Sequence, residues 1–97
     1  MFNIELTKQA VKDATSIERA GLKPKVTLLL RTIRQNPFQN PPEYEKLRGY
    51  QDTYSRRINK QHRLVYQVLP NDGSVKNVND IPYQGIVKII RMWTHYE

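Results

Sequence analysis

Between Tyr54 and Leu69 the chain alternates along two stretches separated by a tight turn at Lys60-Gln61, and that pattern dictates a β-hairpin. In extended backbone, successive side chains point to opposite faces. Tyr54, Arg56 and Ile58 therefore share one face of the first strand, opposed by Ser55, Arg57 and Asn59. On the returning stretch His62, Leu64, Tyr66 and Val68 share a face, opposed by Arg63, Val65 and Gln67. A lone hairpin is marginal in water, so the remaining chain must add strands and a layer to cover the apolar side.

The flanking segments have the patterns for both. Phe2, Ile4 and Leu6 alternate with Asn3 and Glu5, which marks a short strand. Thr7 is placed to cap a helix with Ala10, Val11, Ala14 and Ile17 at apolar spacing, ended by Gly21. Pro24 suits the first turn of a second helix, whose stripe is Val26, Leu29, Leu30 and Ile33 and which Pro37 closes. The following PFQNPPE holds three of the six prolines and reads as a stiff extended connection. A short extended piece, Glu45 to Arg48, ends at Gly49. After the hairpin comes a polar loop, Pro70 to Gly85, in which Val75 to Val78 is a candidate extension of the hairpin. Ile86 to Trp93 is nearly all apolar, and so continuous a run predicts a central strand.

The predicted fold class is thus α+β in the order β-α-α-β-β-β-β. With 97 residues the chain is expected to form one domain, 1–97, because a second core would leave each half too small. Two helices cannot hide both faces of the sheet, so one face stays open for a polar site. No stretch approaches the roughly 20 apolar residues that span a bilayer, and the N-terminus does not read as a signal peptide. The chain has no cysteine, which excludes disulfides and thiolate metal sites and favours a reducing compartment, here taken as the cytoplasm.

Sixteen Lys and Arg stand against nine Asp and Glu, a net charge of +7 that attracts polyanions. Arg48, Arg56, Arg57, Lys60 and Arg63 crowd together with Tyr44, Tyr50, Tyr54 and Tyr66 among them. Arginine grips phosphate through a planar fork and tyrosine stacks on bases, a mixture suited to single-stranded RNA. Arg48, Arg56 and Arg57 are the expected RNA contacts; the competing reading is that alternating Arg keeps an exposed strand soluble. No recognition helix, zinc-ligand spacing or basic zipper is present. Of the two histidines, His62 sits on the apolar side of its strand and reads as structural, while His95 lies near the chain end beside Tyr96. Glu43 and Glu45 precede the basic region. One carboxylate, one Arg and one His suffice for metal-free RNA cleavage, since RNA supplies its own 2′-hydroxyl nucleophile. On that scheme neither cofactor nor metal is expected.

The string YSRRINKQHRLVY, Tyr54 to Tyr66, closely resembles the central hairpin of the YoeB/Txe toxins, in the RelE superfamily of bacterial toxin–antitoxin systems. Glu45-Lys46-Leu47-Arg48 matches the family's upstream Glu-x-Leu-basic stretch, Arg34 to Phe38 its second-helix stop, and Trp93-Thr94-His95-Tyr96 its aromatic-x-His-Tyr end. The resemblance covers nearly the whole chain. It implies a microbial RNase/RelE-like fold, a twisted antiparallel sheet with two helices packed on one face. It implies cleavage of messenger RNA in the A site of the 70S ribosome, and neutralisation by a YefM- or Axe-like antitoxin whose complex with the toxin represses the operon. Operator DNA would be met only through that complex. By the same resemblance Glu45 is the general base, Arg63 binds phosphate, His95 is the general acid and Tyr96 its neighbouring aromatic, while Arg48 and Arg57 match RNA-backbone contacts. The loop Pro70 to Gly85 is longer than the family's usual connection, Glu97 extends past the usual last Tyr, and Glu43 is the second candidate base. An unperturbed imidazole titrates near about 6.5, so an acid at His95 needs nearby negative charge, which ribosome-bound message would supply. Two other readings remain open: a basic ribosome- or RNA-binding module that blocks without cutting, and a protein whose basic face holds an acidic partner. The oligomeric state, monomer or homodimer, is open as well.

Overall fold

Thr7 caps its helix as its position predicts: the hydroxyl accepts from the Ala10 N–H at 3.0 Å and donates to the Ile90 carbonyl at 2.9 Å, tying the helix start to the sheet. A computed structural model describes residues 1–93. Its elements run β1 (Asn3–Leu6), α1 (Lys8–Arg19), α2 (Lys23–Gln35), β2 (Tyr44–Lys46), β3 (Thr53–Arg57), β4 (Arg63–Pro70) and β5 (Gly85–Arg91). The order is the predicted one, with β2 starting one residue earlier than the sequence suggests. The strands form one sheet, β1-β5-β4-β3-β2, which makes β5 an inner strand as its apolar run requires.

The sheet is mixed rather than antiparallel throughout. β2, β3, β4 and β5 pair antiparallel, but β1 runs parallel to β5, with Ile4 opposite Val87 and Leu6 opposite Ile89. Alternation along β1 is the same for either direction. The helical hairpin between β1 and β2 sets the direction, and no local pattern records it.

Ala10 and Ile17 of α1 and Val26, Leu29 and Ile33 of α2 form one core with Leu64, Tyr66, Val87, Ile89 and Met92. Each buried aliphatic side chain contributes roughly 1.5–3 kcal/mol. Both helices thus cover one sheet face. One expected stripe member is displaced: Val11 is 57% exposed, and Asp13 takes the buried place on α1.

The loop between β4 and β5 is pinned by side-chain amides. The Asn71 oxygen accepts from the Gly73 and Val75 N–H groups, and its amide donates to the Val75 and Tyr83 carbonyls. The suggested extension at Val75 to Val78 is reduced to a single bridge between Lys76 and Pro82. Gly85 opens β5 under the Phe2 ring: an added Cβ would lie 2.8 Å from Phe2 Cε2 and 3.0 Å from the Leu69 carbonyl oxygen. Gly85→Ala is expected to destabilise the domain by about 1–3 kcal/mol. Urea denaturation measures this, and an unchanged midpoint would mean that the Phe2 ring swings clear.

Candidate active site

The side chains expected to do chemistry meet because of strand register. Glu45 pairs with Ser55, Ser55 with Val65, and Arg57 with Arg63. The pleat turns these positions onto the face opposite Leu64 and Tyr66, where Ser55 and Val65 are buried while Glu45 and Arg57 stay exposed. Arg63 Nε donates to Ser55 Oγ at 3.0 Å, which aims the guanidinium toward β2. Its Nη2 lies 3.7 Å from Glu45 Oε2. The Arg63 side chain is largely covered, at 15% exposed, whereas that of Glu45 is 63% exposed. The sheet thus brings together a solvent-accessible carboxylate and a braced arginine.

Arg57 sits directly opposite Arg63. Like charges at paired positions repel, and the Glu45 carboxylate beside Arg63 offsets part of that repulsion. A groove of about 430 Å³ runs past both, lined also by Glu43, Glu45, Lys60 and Lys25. That is ample for a nucleotide unit. Lys25 is a groove cation that sequence reasoning missed. Its only signal is the Lys23-Pro24-Lys25 pair of charges in the first turn of α2, and the packing of that helix decides which face it joins.

Other expected site residues are elsewhere. Arg56 is a correction: it is fully buried and cannot contact RNA. Nε donates to the Tyr66 hydroxyl at 3.2 Å, Nη2 to the Pro37 and Gln39 carbonyls at 3.0 and 2.8 Å, and Nη1 to the Pro42 carbonyl. Tyr66 in turn donates to the Pro37 carbonyl at 2.7 Å. Burial raises the Tyr66 phenol above its usual range against the pull of Arg56, so it remains a neutral donor. Arg56 therefore fastens the proline-rich connection to β3. The signal was present in the alternation, which put Arg56 on the face of Tyr54 and Ile58.

The tyrosines divide similarly. Tyr54 packs edge-on against Tyr44 and Phe38, and Phe38 meets Tyr44 at a tilt of 53°, with centroid distances of 5.0 to 6.0 Å; Tyr66 is buried beneath them. Tyr50 is 57% exposed. Arg48 is exposed on the β2–β3 connection, beside Tyr50 in a separate hollow. It is not brought into the groove with Glu45 and Arg63. His62 is half-buried, as a structural reading requires, and its ring stacks on Trp93 at 3.8 Å.

The expected general acid His95, with Tyr96 and Glu97, lies outside the described residues. The residues leading to it are well held. Asp13 accepts from Arg91 Nε and from the Met92 and Trp93 N–H groups. Among the described residues, no three His, Cys, Asp or Glu side chains gather where a metal ion could sit, and no helix is long and apolar enough to cross a membrane.

Comparison with known proteins bears on the whole chain. The family model described as YoeB-like toxin of bacterial type II toxin-antitoxin system matches residues 6–96. Toxin YoeB from Synechocystis sp. is 38% identical over 52 residues, a match spanning 53% of this chain and 60% of that protein. Among solved structures, the YoeB dimer from Staphylococcus aureus is 30% identical with a TM-score of 0.71, covering 98% of each chain. A YoeB-YefM complex from Staphylococcus aureus is 29% identical with a TM-score of 0.69, covering 99% of each. The fold and these matches agree: the chain belongs to the YoeB-like toxins of bacterial type II toxin–antitoxin systems, within the RelE superfamily.

Proposed function

We propose that this toxin is a ribosome-dependent endoribonuclease that cuts messenger RNA in the A site by metal-free general acid–base catalysis. The observation that carries the reading is the Glu45–Arg63 pair, 3.7 Å apart, in a groove lined by further cations. A carboxylate repels a phosphate ligand, so a groove that only grips phosphate gains no affinity from an exposed one. Beside an arginine it has a role as a base.

In the proposed reaction Glu45 takes the proton from the 2′-hydroxyl, and the 2′-oxygen attacks the adjacent phosphorus. Arg63 and Arg57 neutralise the charge that builds on the phosphoryl oxygens. The bond to the 5′-oxygen breaks as His95 delivers a proton to it, beside Tyr96. The products are a 2′,3′-cyclic phosphate, which hydrolyses to a 3′-phosphate, and a 5′-hydroxyl. Lys25 and Lys60 would hold neighbouring phosphates along the groove, and Arg48 would meet the RNA or ribosome outside it. As partners we propose a YefM- or Axe-like antitoxin, supported by the YoeB-YefM relative, and a second copy of the chain, supported by the YoeB dimer. The proposed setting is the bacterial cytoplasm, where translated message is found.

The test is expression of wild type and His95→Gln without antitoxin, with message ends mapped by primer extension on translated RNA. New codon-phased ends with wild type alone are expected. Equal growth arrest by both proteins, with no new ends, would replace the nuclease by a module that blocks translation without cutting.

A further inference from the structure

We propose that the hollow beside Tyr50, on the β2–β3 connection, is a seat for one unpaired RNA base, which stacks on the Tyr50 ring while Lys46 and Arg48 hold the adjoining phosphates. The choice of RNA as ligand rests on the endoribonuclease reading above.

Residues 46–52 enclose about 530 Å³, within the size range of pockets that take small ligands. Lys46 and Arg48 line it and are exposed. Tyr50 lines it too and is 57% exposed, whereas Tyr44, Tyr54 and Tyr83 are half-buried and Tyr66 is buried. A single exposed aromatic needs no explanation. One that shares a hollow with two cations offers both contacts that single-stranded RNA requires, a flat face for a base and positive charge for the backbone. Asp52 lines the same hollow. A seat for phosphate alone gains no affinity from a carboxylate. A base does, because its pairing edge carries N–H donors.

The hollow is built from braced backbone. Gly49 and Asp52 take left-handed conformations, with φ of 80° and 53°, that turn the connection back on itself. The Leu47 N–H donates to the Thr53 carbonyl at 2.9 Å, and the Val68 N–H to the Asp52 carbonyl at 3.0 Å. The Gln51 carbonyl accepts from Thr53 Oγ1 at 2.8 Å and from Gln67 Nε2 at 3.2 Å. The connection is thus tied to β3 and β4 on both sides of Tyr50. A site held in this way loses little further freedom when a ligand enters.

Its position relative to the groove follows from β2. Lys46 comes directly after Glu45, and three residues, at most about 11 Å of chain, separate Glu45 from Arg48. The pleat turns Glu45 and Lys46 to opposite faces, and β2 is an edge strand. The hollow therefore adjoins the groove across the sheet edge. An RNA strand passing over that edge would meet Glu45 on one side and Tyr50 on the other.

The experiment measures binding to the purified full chain by fluorescence anisotropy. The probes are a 2′-O-methyl adenosine hexamer, which lacks the 2′-hydroxyl nucleophile and is not cut, the same backbone without bases, and hexaglutamate. Tyr50→Phe keeps the ring and is expected to bind the adenosine hexamer within about twofold of wild type. Tyr50→Leu and Tyr50→Ala are expected to lose about 5- to 100-fold on that probe and to hold the base-free backbone as wild type does. Arg48→Gln should weaken both oligonucleotides alike and lower the salt slope by about one. Should Tyr50→Ala fail to fold, Tyr50→Leu decides. Equal weakening of both oligonucleotides by the Tyr50 variants, or weakening of neither, overturns the base seat, as does a wild type that binds no adenosine hexamer. A loss confined to hexaglutamate also overturns it and assigns the hollow to an acidic protein segment. Base-dependent binding by a wild type that leaves ribosome-bound message uncut overturns the endoribonuclease reading and keeps the seat. Cutting without Tyr50-dependent binding overturns the seat alone.

Discussion

Glu45→Gln is expected to slow message cleavage by about 10²–10⁴-fold while leaving the fold unchanged. The amide is the same shape as the carboxylate but takes up no proton at neutral pH, so the 2′-hydroxyl loses its acceptor. Stability should hold because the Glu45 side chain is 63% exposed on the short edge strand β2, and its 3.7 Å ion pair with Arg63 is close to water. Exposed pairs of this kind contribute about 0–1 kcal/mol. Arg63 also keeps its bond to Ser55 without Glu45. Single-turnover rates on programmed ribosomes, with melting curves alongside, check both halves. Glu43→Gln is the control, since Glu43 lines the same groove. A larger loss from Glu43→Gln than from Glu45→Gln would move the base to Glu43.

Arg56→Met is expected to do the opposite, unfolding the domain rather than disabling a folded one. Methionine fills the space but donates nothing. The Pro37, Gln39 and Pro42 carbonyls and the Tyr66 hydroxyl all lose their partner in Arg56. A buried acceptor left without its partner costs roughly 1–3 kcal/mol. Several together approach the whole stability of a small domain, about 5–15 kcal/mol. The proline-rich connection would come away from β3 and lift Phe38 off Tyr44 and Tyr54. Arg57→Met provides the contrast. Arg57 is exposed, so its stability should change by less than about 0.5 kcal/mol, with the loss appearing in cleavage. Chemical denaturation of both variants separates the outcomes. An Arg56→Met protein with wild-type stability and weakened RNA binding would return Arg56 to the RNA surface.

These adjacent arginines show how far the residues speak for themselves. Both are basic, both lie in the motif shared with the toxin family, and composition treats them alike. Alternation separates them, because it places Arg56 with Tyr54 and Ile58. What alternation does not contain is the carbonyl-lined socket from Pro37 to Pro42 that receives the guanidinium. Asp13 was less legible still. Helical spacing nominated Val11 for the core, and the groups that make a buried carboxylate tolerable lie 78 to 80 residues away along the chain.

The sequence by itself determined what is local or periodic: the Thr7 cap, both helices, the strand order along the chain and the hairpin whose pleat puts Ser55, Arg57 and Arg63 on one face. These follow from the backbone repeat and from side chains within a few residues of each other. The tertiary structure alone decided the parallel pairing of β1 with β5, the burial of Arg56 and Asp13, and the arrival of Lys25 beside Glu45 and Arg63. Each of these depends on desolvation and hydrogen bonding between segments far apart in the chain. A charged side chain carries no mark of whether distant backbone will surround it or leave it in water.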